Sequence, residues 1–303
     1  LELGLPATPG QVDSAPAREK RALVLPAIGA VMLAAIALVV IVVPLLPGMD
    51  PLKQNLSMAG LGPFSEPGHI LGTDALGRDT LARLALGGRT TLVLAVIVVA
   101  INLAIGLTAG LCAGYFGGVI DNVINFFSDV QLAMPVVLLL IAIAAVIGPN
   151  AIATVVVLGV SYWMGYARVA RATAMSLRAR DFTVSPMLQG ASRLWVIRRH
   201  ILPHVMPSIL IVSIVDLGAI MMVQAGLDYL GLGIQPPTPT WGGMIFEGQK
   251  FLRTNPWQAL VPGIAMFFFV AGTQFVSLRF TAETRAFTAV RRRRRATNKG
   301  RKR

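Results

Sequence analysis

Long apolar runs separated by short polar interruptions dominate the 303-residue chain. Residues 23–47, 91–114, 134–147, 151–167 and 208–230 are almost wholly apolar, and a sixth run lies near 258–280. A hydrocarbon core about 30 Å thick takes roughly 20 helical residues. The pattern therefore predicts an all-α polytopic membrane protein with six transmembrane helices. The third run is short if it begins at Met134. Begun near Val119 it becomes an adequate span, with Asp121, Asn122, Asn125 and Asp129 in its first turns near the interface. The first run is too long for a signal-peptide core, has no obvious small-residue cleavage site and closes on Pro44 and Pro47, so it is read as a retained helix.

Charge orients these spans. With the N-terminus inside, 3 basic residues precede the first span, 7 lie between Arg168 and Arg199, and 11 follow the last span from Arg279. Only Lys53, Arg78, Arg83, Arg89, Lys250 and Arg253 fall outside. The imbalance predicts both termini in the cytoplasm. The chain then divides into a cytoplasmic N-terminal tail (1–22), a first helix (23–47), an extracytoplasmic segment (48–90), a five-helix core (91–280) and a basic cytoplasmic tail (281–303). That tail, ending RRRRRATNKGRKR, is a charge block expected to be disordered and to meet anionic membrane lipid.

Composition agrees and narrows the chemistry. Hydrophobic residues make up 55% and charged residues 14%, against roughly a quarter charged in ordinary soluble domains. The net charge of +13 records topology, and no aromatic or fold signal supports nucleic-acid binding. One cysteine, Cys112 inside an apolar run, and three histidines offer no disulfide framework and no metal centre. No GxxxxGK[ST] loop is present, so ATP hydrolysis in this chain is not expected.

The stretch DFTVSPMLQGASRLWVIRRHILPHVMP, Asp181 to Pro207, is the most polar long interruption of the second half. Leu194, Ile197 and Ile201 share a helical spacing after Gly190, and Pro203 is expected to end that helix. By the charge count it is cytoplasmic. An amphipathic helix between two breaks, held by spans on both sides, suits either an interfacial position or force transfer from a soluble partner.

The residues resemble the cytoplasmic EAA loop of bacterial ABC importer permeases. Gly190 matches its glycine, Leu202–Pro203 its Leu-Pro pair, and RHILPH the peptide-importer branch. Val184-Ser185-Pro186 departs from the small-residue triplet. Ser185 as N-cap with Pro186 at the first helical position would shift the helix start. Two further blocks carry the same resemblance. HILGTDALGRDTLARLALGGRTTL (His69–Leu92) runs, beyond the second span, into AGYFGGVIDNVINFFSDVQLAMP, and LDYLGLGIQPPTPTWGG opens the outer loop before the last span. Gly72, Gly77, Asp74, Arg78 and Asp79 read as a polar turn before a short helix. Gly114, Gly117 and Gly118 read as an inside turn, and Trp241 and Trp257 as interfacial belt residues.

The chain thus resembles the C-type permease subunit of a dipeptide/oligopeptide ABC importer, a subfamily shared with nickel, metallophore and haem systems. The resemblance implies a type I importer permease fold in the bacterial cytoplasmic membrane. It implies partners: a homologous B-type permease, two ABC ATPases (or one fused pair) that bind ATP and Mg, and an extracytoplasmic substrate-binding lipoprotein. It makes Asp181, Phe182, Ser185, Pro186, Gly190, Ala191, Ser192, Arg193, His200 and Pro203, within a loop at about 176–205, the candidates for ATPase coupling. In the fifth span, Asp216 with Met221, Gln224 and Asp228 on a shared stripe is expected to face the partner permease and the translocation pathway, since intramembrane ionisable groups are costly. A stand-alone proton-coupled carrier using Asp121, Asp129 and Asp216 is the alternative from another class.

Overall fold

The computed structural model describes the backbone of residues 15–300 and the side chains of residues 24–280, Ala144 excepted. Among these residues the secondary structure is helical throughout, with one isolated bridge between Thr73 and Asp79. The helices are α1 (Ala15–Val42), α2 (Thr80–Phe116), α3 (Gly118–Leu132), α4 (Val136–Ile147), α5 (Ala151–Ser161), α6 (Trp163–Arg178), α7 (Asp181–Leu188), α8 (Arg193–Val196), α9 (Leu202–Tyr229), α10 (Trp241–Gly248) and α11 (Trp257–Gly300).

Five stretches are long and apolar enough to cross a bilayer: Val24–Leu45, Thr80–Phe116, Ala151–Arg178, Arg193–Tyr229 and Trp257–Phe280. The expected third span is not one straight helix. α3 and α4 meet at 79° across Ala133–Pro135, where Pro135 cannot donate to the preceding turn and biases Met134 away from helix. The pair makes a sixth span if taken as one broken element. The fourth span exceeds its expected end at residue 167. After a break at Tyr162 it continues as α6 to Arg178, so Arg168, Arg171 and Arg178 ride on helix rather than loop. α11 likewise continues to Gly300 where a disordered tail was expected. Its Ala-, Arg- and Thr-containing sequence has no Gly or Pro between Phe280 and Gly300 to stop it. The side chains of that basic block lie outside the described residues.

α2 and α6 form the closest seam. Gly106, Gly110 and Gly114, spaced by four, bring α2 onto α6 so tightly that any Cβ there would overlap the backbone carbonyls of Trp163, Ala167 and Arg171. Small residues at this spacing drive helix association where lipid removes the hydrophobic force. Gly114 therefore belongs to this seam, and the inside turn is made by Gly117 and Gly118, at φ +69° and +57°. α1 packs on α11 through Gly29 and Gly272. One core joins α2, α5, α9, α10 and α11 around Val98, Leu158, Met221, Leu227 and Trp241. A second joins α2, α6 and the start of the fifth span around Leu111, Tyr166, Ala170, Ile201 and Ile209.

Candidate functional site

Three groups of sequence-selected residues have definite places, and the cytoplasmic segment is the most informative. The discrete short helix there is α7, not a helix between Gly190 and Pro203. Asp181 is its first residue, so Ser185 is inside it and caps nothing. Pro186 is the sixth residue. The first four amides of a helix are unpaired in any case, so the proline forfeits one backbone bond in two turns. The helix stops at Gly190, φ +89°, where the amides of Gly190 and Ala191 bond the carbonyls of Met187 and Pro186. Ser192 is the serine that caps: its Oγ accepts from the Trp195 amide at 3.3 Å and starts α8.

From Arg193 the chain does not break at Pro203. A π-helical turn, Ile197–Ile201, joins α8 to α9, and Pro203 follows directly, where the widened turn accommodates its missing amide. His204 Nδ1 donates to the His200 carbonyl at 2.7 Å, returning one bond that the widened turn gives up. The segment expected as a free amphipathic helix is thus the cytoplasmic end of the fifth span. Ile197 and Ile201 are buried and Leu194 is exposed.

α7 is fastened to three membrane helices. Thr183, fully buried, donates from Oγ1 to the Leu177 carbonyl at the end of α6. Tyr115, at the end of α2, donates from its hydroxyl to Met187 Sδ at 3.1 Å, and Arg178 Nη1 donates to the Tyr115 carbonyl. Phe182 stacks on His204 of α9 with ring centroids 5.3 Å apart, and His200 meets Trp195 edge-on at 5.2 Å. α6 is tied in turn to α3 by a two-pronged Arg171–Asp121 pair, both contacts at 2.6 Å. The other side of α7 is open. Asp181, Phe182, Ser185 and Leu188 are exposed, Leu188 at 83%, next to exposed Arg193, Leu194, Trp195, Arg198 and Arg199. An apolar patch with a basic border at the expected cytoplasmic end has the character of a protein-docking surface.

The external polar turn is an ion network. Asp79 caps α2 through the Ala82 amide at 2.7 Å and takes His69 Nδ1 at 2.7 Å. α2 is a 37-residue helix, not the short one expected. Asp74 accepts the amides of Leu76 and Arg78, Arg78 Nε at 2.6 Å and Arg83 Nη1. Arg78 and Arg83 also reach Glu247 of α10, at 3.1 and 2.7 Å. Burial opposes the charge on Asp74, but the Arg78 amide and the Arg83 guanidinium outweigh it and hold the carboxyl below its ordinary value. The network binds the external segment, α2 and α10 into one body. Trp241, the first residue of α10, is not a belt residue. It is buried and donates from Nε1 to the Leu84 carbonyl at 2.9 Å. Trp257 keeps the exposed position expected at an interface.

The stripe on α9 is turned inward. Met221, Gln224 and Asp228 are buried within this chain, so they do not form the partner-facing surface that helical spacing alone suggested. Asp228 Oδ1 takes the Ile234 amide at 3.0 Å and pins the turn after α9. Gln224 keeps both amide atoms, and Asp228 one oxygen, without a partner among the described residues. Asp216 is half-buried and faces Tyr166 of α6. Sequence reasoning passed over the glycine seam and the Arg83–Glu247 pairing. The four-residue glycine spacing could have found the first, but the second joins positions 164 residues apart and has no local signal.

Residues 106–284 match the model of the family described as binding-protein-dependent transport system inner membrane component. The chain is 34% identical over 252 residues to a dipeptide transport system permease protein DppC of Alkalihalophilus pseudofirmus, covering 82% of this chain and 81% of that one. It is 34% identical to the oligopeptide transport system permease protein OppC of Escherichia coli, over 77% of both chains. It is 32% identical to that organism's nickel transport system permease protein NikC, over 75% of this chain and 81% of the other. A solved structure, inward facing conformations of the MetNI methionine ABC transporter, superposes with a TM-score of 0.52 at 19% identity, covering 66% of this chain and 95% of that one. The fold is that of a type I ABC importer permease.

Proposed function

Because the chain belongs to the family of binding-protein-dependent transport system inner membrane components, we propose that it is the C-type permease of a peptide importer, moving di- to oligopeptides inward by alternating access. An inner-membrane, multi-pass location follows from the family. The likeness to DppC and OppC supports peptides as cargo. The observation that carries the mechanism is α7: open on one face, yet fastened to α2, α6 and α9.

In this reading two ATPase subunits, or one fused pair, bind ATP and Mg and dock on the exposed face of α7 and the Leu194–Trp195 edge. This chain itself catalyses nothing. Movement of the ATPases shifts α7. Thr183, Met187 and Phe182 then transfer the shift to three membrane helices at once, a lever that needs no loop rearrangement. The external ion network keeps α10 and the start of α2 moving together, so the outer end follows as one body. A homologous B-type permease supplies the other wall of the pathway, and a substrate-binding lipoprotein delivers peptide from outside. Asp216, half-buried, is the pathway candidate that a partner could still reach. Gln224 and Asp228 act within the chain.

Reconstitution of the full importer in vesicles tests the cargo. Labelled dipeptide or oligopeptide should accumulate with ATP and binding protein, and not with ATP alone. Accumulation of nickel instead, with no peptide uptake, would favour the second reading that the NikC likeness supports.

A further inference from the structure

The three arginines around the outer end of α2, Arg78 just before it and Arg83 and Arg89 within it, do not share one fate. Arg78 and Arg83 are neutralised by Asp74 and Glu247. Arg89, six residues further into the helix, is exposed and makes no hydrogen bond or ion pair among the described residues. It lines a groove of about 400 Å³ between α1 and α2 whose other walls are Val40, Ile41, Pro44, Leu45, Leu92 and Val93. No carboxylate is among them.

The groove has an order in depth. The first span ends outward at Leu45, in the short turn after α1, and α2 begins outward at Thr80, so the two walls run antiparallel. On α2, Leu92 and Val93 lie about 5 Å inward of Arg89 at 1.5 Å per residue. On the other wall, Val40 and Ile41 of α1 lie about the same distance inward of Pro44 and Leu45 in the turn that follows it. Both walls therefore place a charged or interfacial level outside and an apolar level inside. A guanidinium near the end of a membrane helix reaches to the head-group level, and its planar fork fits a phosphate oxygen pair. At that depth the membrane supplies phosphodiesters.

We propose that this groove is a phospholipid site of the outer leaflet. Arg89 holds the phosphodiester, and Val40, Ile41, Leu92 and Val93 hold the adjoining part of one acyl chain. The site is separate from the α7 surface and independent of the cargo.

Native mass spectrometry of the intact importer, titrated with dioleoyl phosphatidylglycerol and with dioleoylglycerol lacking the phosphate, tests it. Arg89→Gln should lower phosphatidylglycerol retention roughly five- to tenfold and leave dioleoylglycerol unchanged. Arg89→Lys, which keeps the charge but not the fork, should retain an intermediate amount. Val93→Trp, at a half-exposed position, should fill the apolar level and lower retention with Arg89 intact, whereas Leu210→Trp on α9 should not. Equal phosphatidylglycerol retention by wild type, Arg89→Gln and Val93→Trp would overturn the proposal. So would displacement of the lipid by inorganic phosphate, or a carbodiimide crosslink from Arg89→Lys to a carboxylate of the second permease.

Discussion

Replacing Asp74 by Asn keeps the shape of the external turn and removes one charge. In the native network Asp74 and Glu247 face Arg78 and Arg83, which are 8% and 3% exposed. After the substitution, Glu247 alone faces two buried guanidiniums. Breaking a buried pair in this way costs about 3–5 kcal/mol. Glu247, with a third of its side chain exposed, still offsets part of the charge, which favours the lower end. A loss of about 3 kcal/mol corresponds to a fall of roughly 6–12 °C in the melting temperature of a domain this size. Thermal unfolding of the purified complex measures it, with Glu66→Gln at an exposed position as control. The pH dependence carries a sign. The Asp74 carboxyl is held below its ordinary value of 3.8, so its contribution is complete above that value and is lost as pH falls through the lower, folded one. The gap between wild type and Asp74→Asn should stay level from about pH 5 to 8 and close only in stronger acid. A melting temperature within about 1 °C of the control, or a gap that changes across neutral pH, would refute the buried network as a source of stability.

Other substitutions separate the remaining roles. Gly110→Leu pushes a side chain into the Ala167 carbonyl and Ala170 Cβ; it should cost about 3 kcal/mol and reduce recovery of folded complex, while Gly165→Leu, which meets nothing within 4 Å, should be silent in the same thermal assay. Pro186→Ala restores one backbone bond in α7 and should stabilise by about 1 kcal/mol, with peptide uptake retained. Gln224→Leu removes two unpartnered buried atoms and should leave stability equal or higher by about 1 kcal/mol; abolished uptake in a complex that assembles normally would return Gln224 to the pathway.

Apolar runs made the membrane class and five of the spans legible, because hydropathy is a property of local composition. Boundaries were less so. The seventeen-residue run at 151–167 said nothing of α6, whose arginines look like loop until Ala167, Ala170 and Ala174 are seen pressed on the glycines of α2. Proline was read too strictly. Pro203 follows a π turn that accommodates its missing amide, and Pro186 costs α7 only one backbone bond, so neither breaks the chain where propensity puts the break. The candidate coupling segment was legible as a polar interruption, but which part forms the separate helix depends on tertiary ties from Tyr115, Leu177 and His204. The α9 stripe failed for a related reason: helical spacing gives a shared face, and only packing tells whether that face meets a partner or the chain's own core.

The most direct measurement is disulfide trapping from Leu188→Cys, on the open face of α7, to single cysteines on the partner ATPase, read in the working importer with and without ATP. The expected result is a crosslink whose yield changes with nucleotide and whose formation stops peptide uptake reversibly. No crosslink in any nucleotide state, with uptake intact, would contradict α7 as the element that couples the ATPases to the membrane helices.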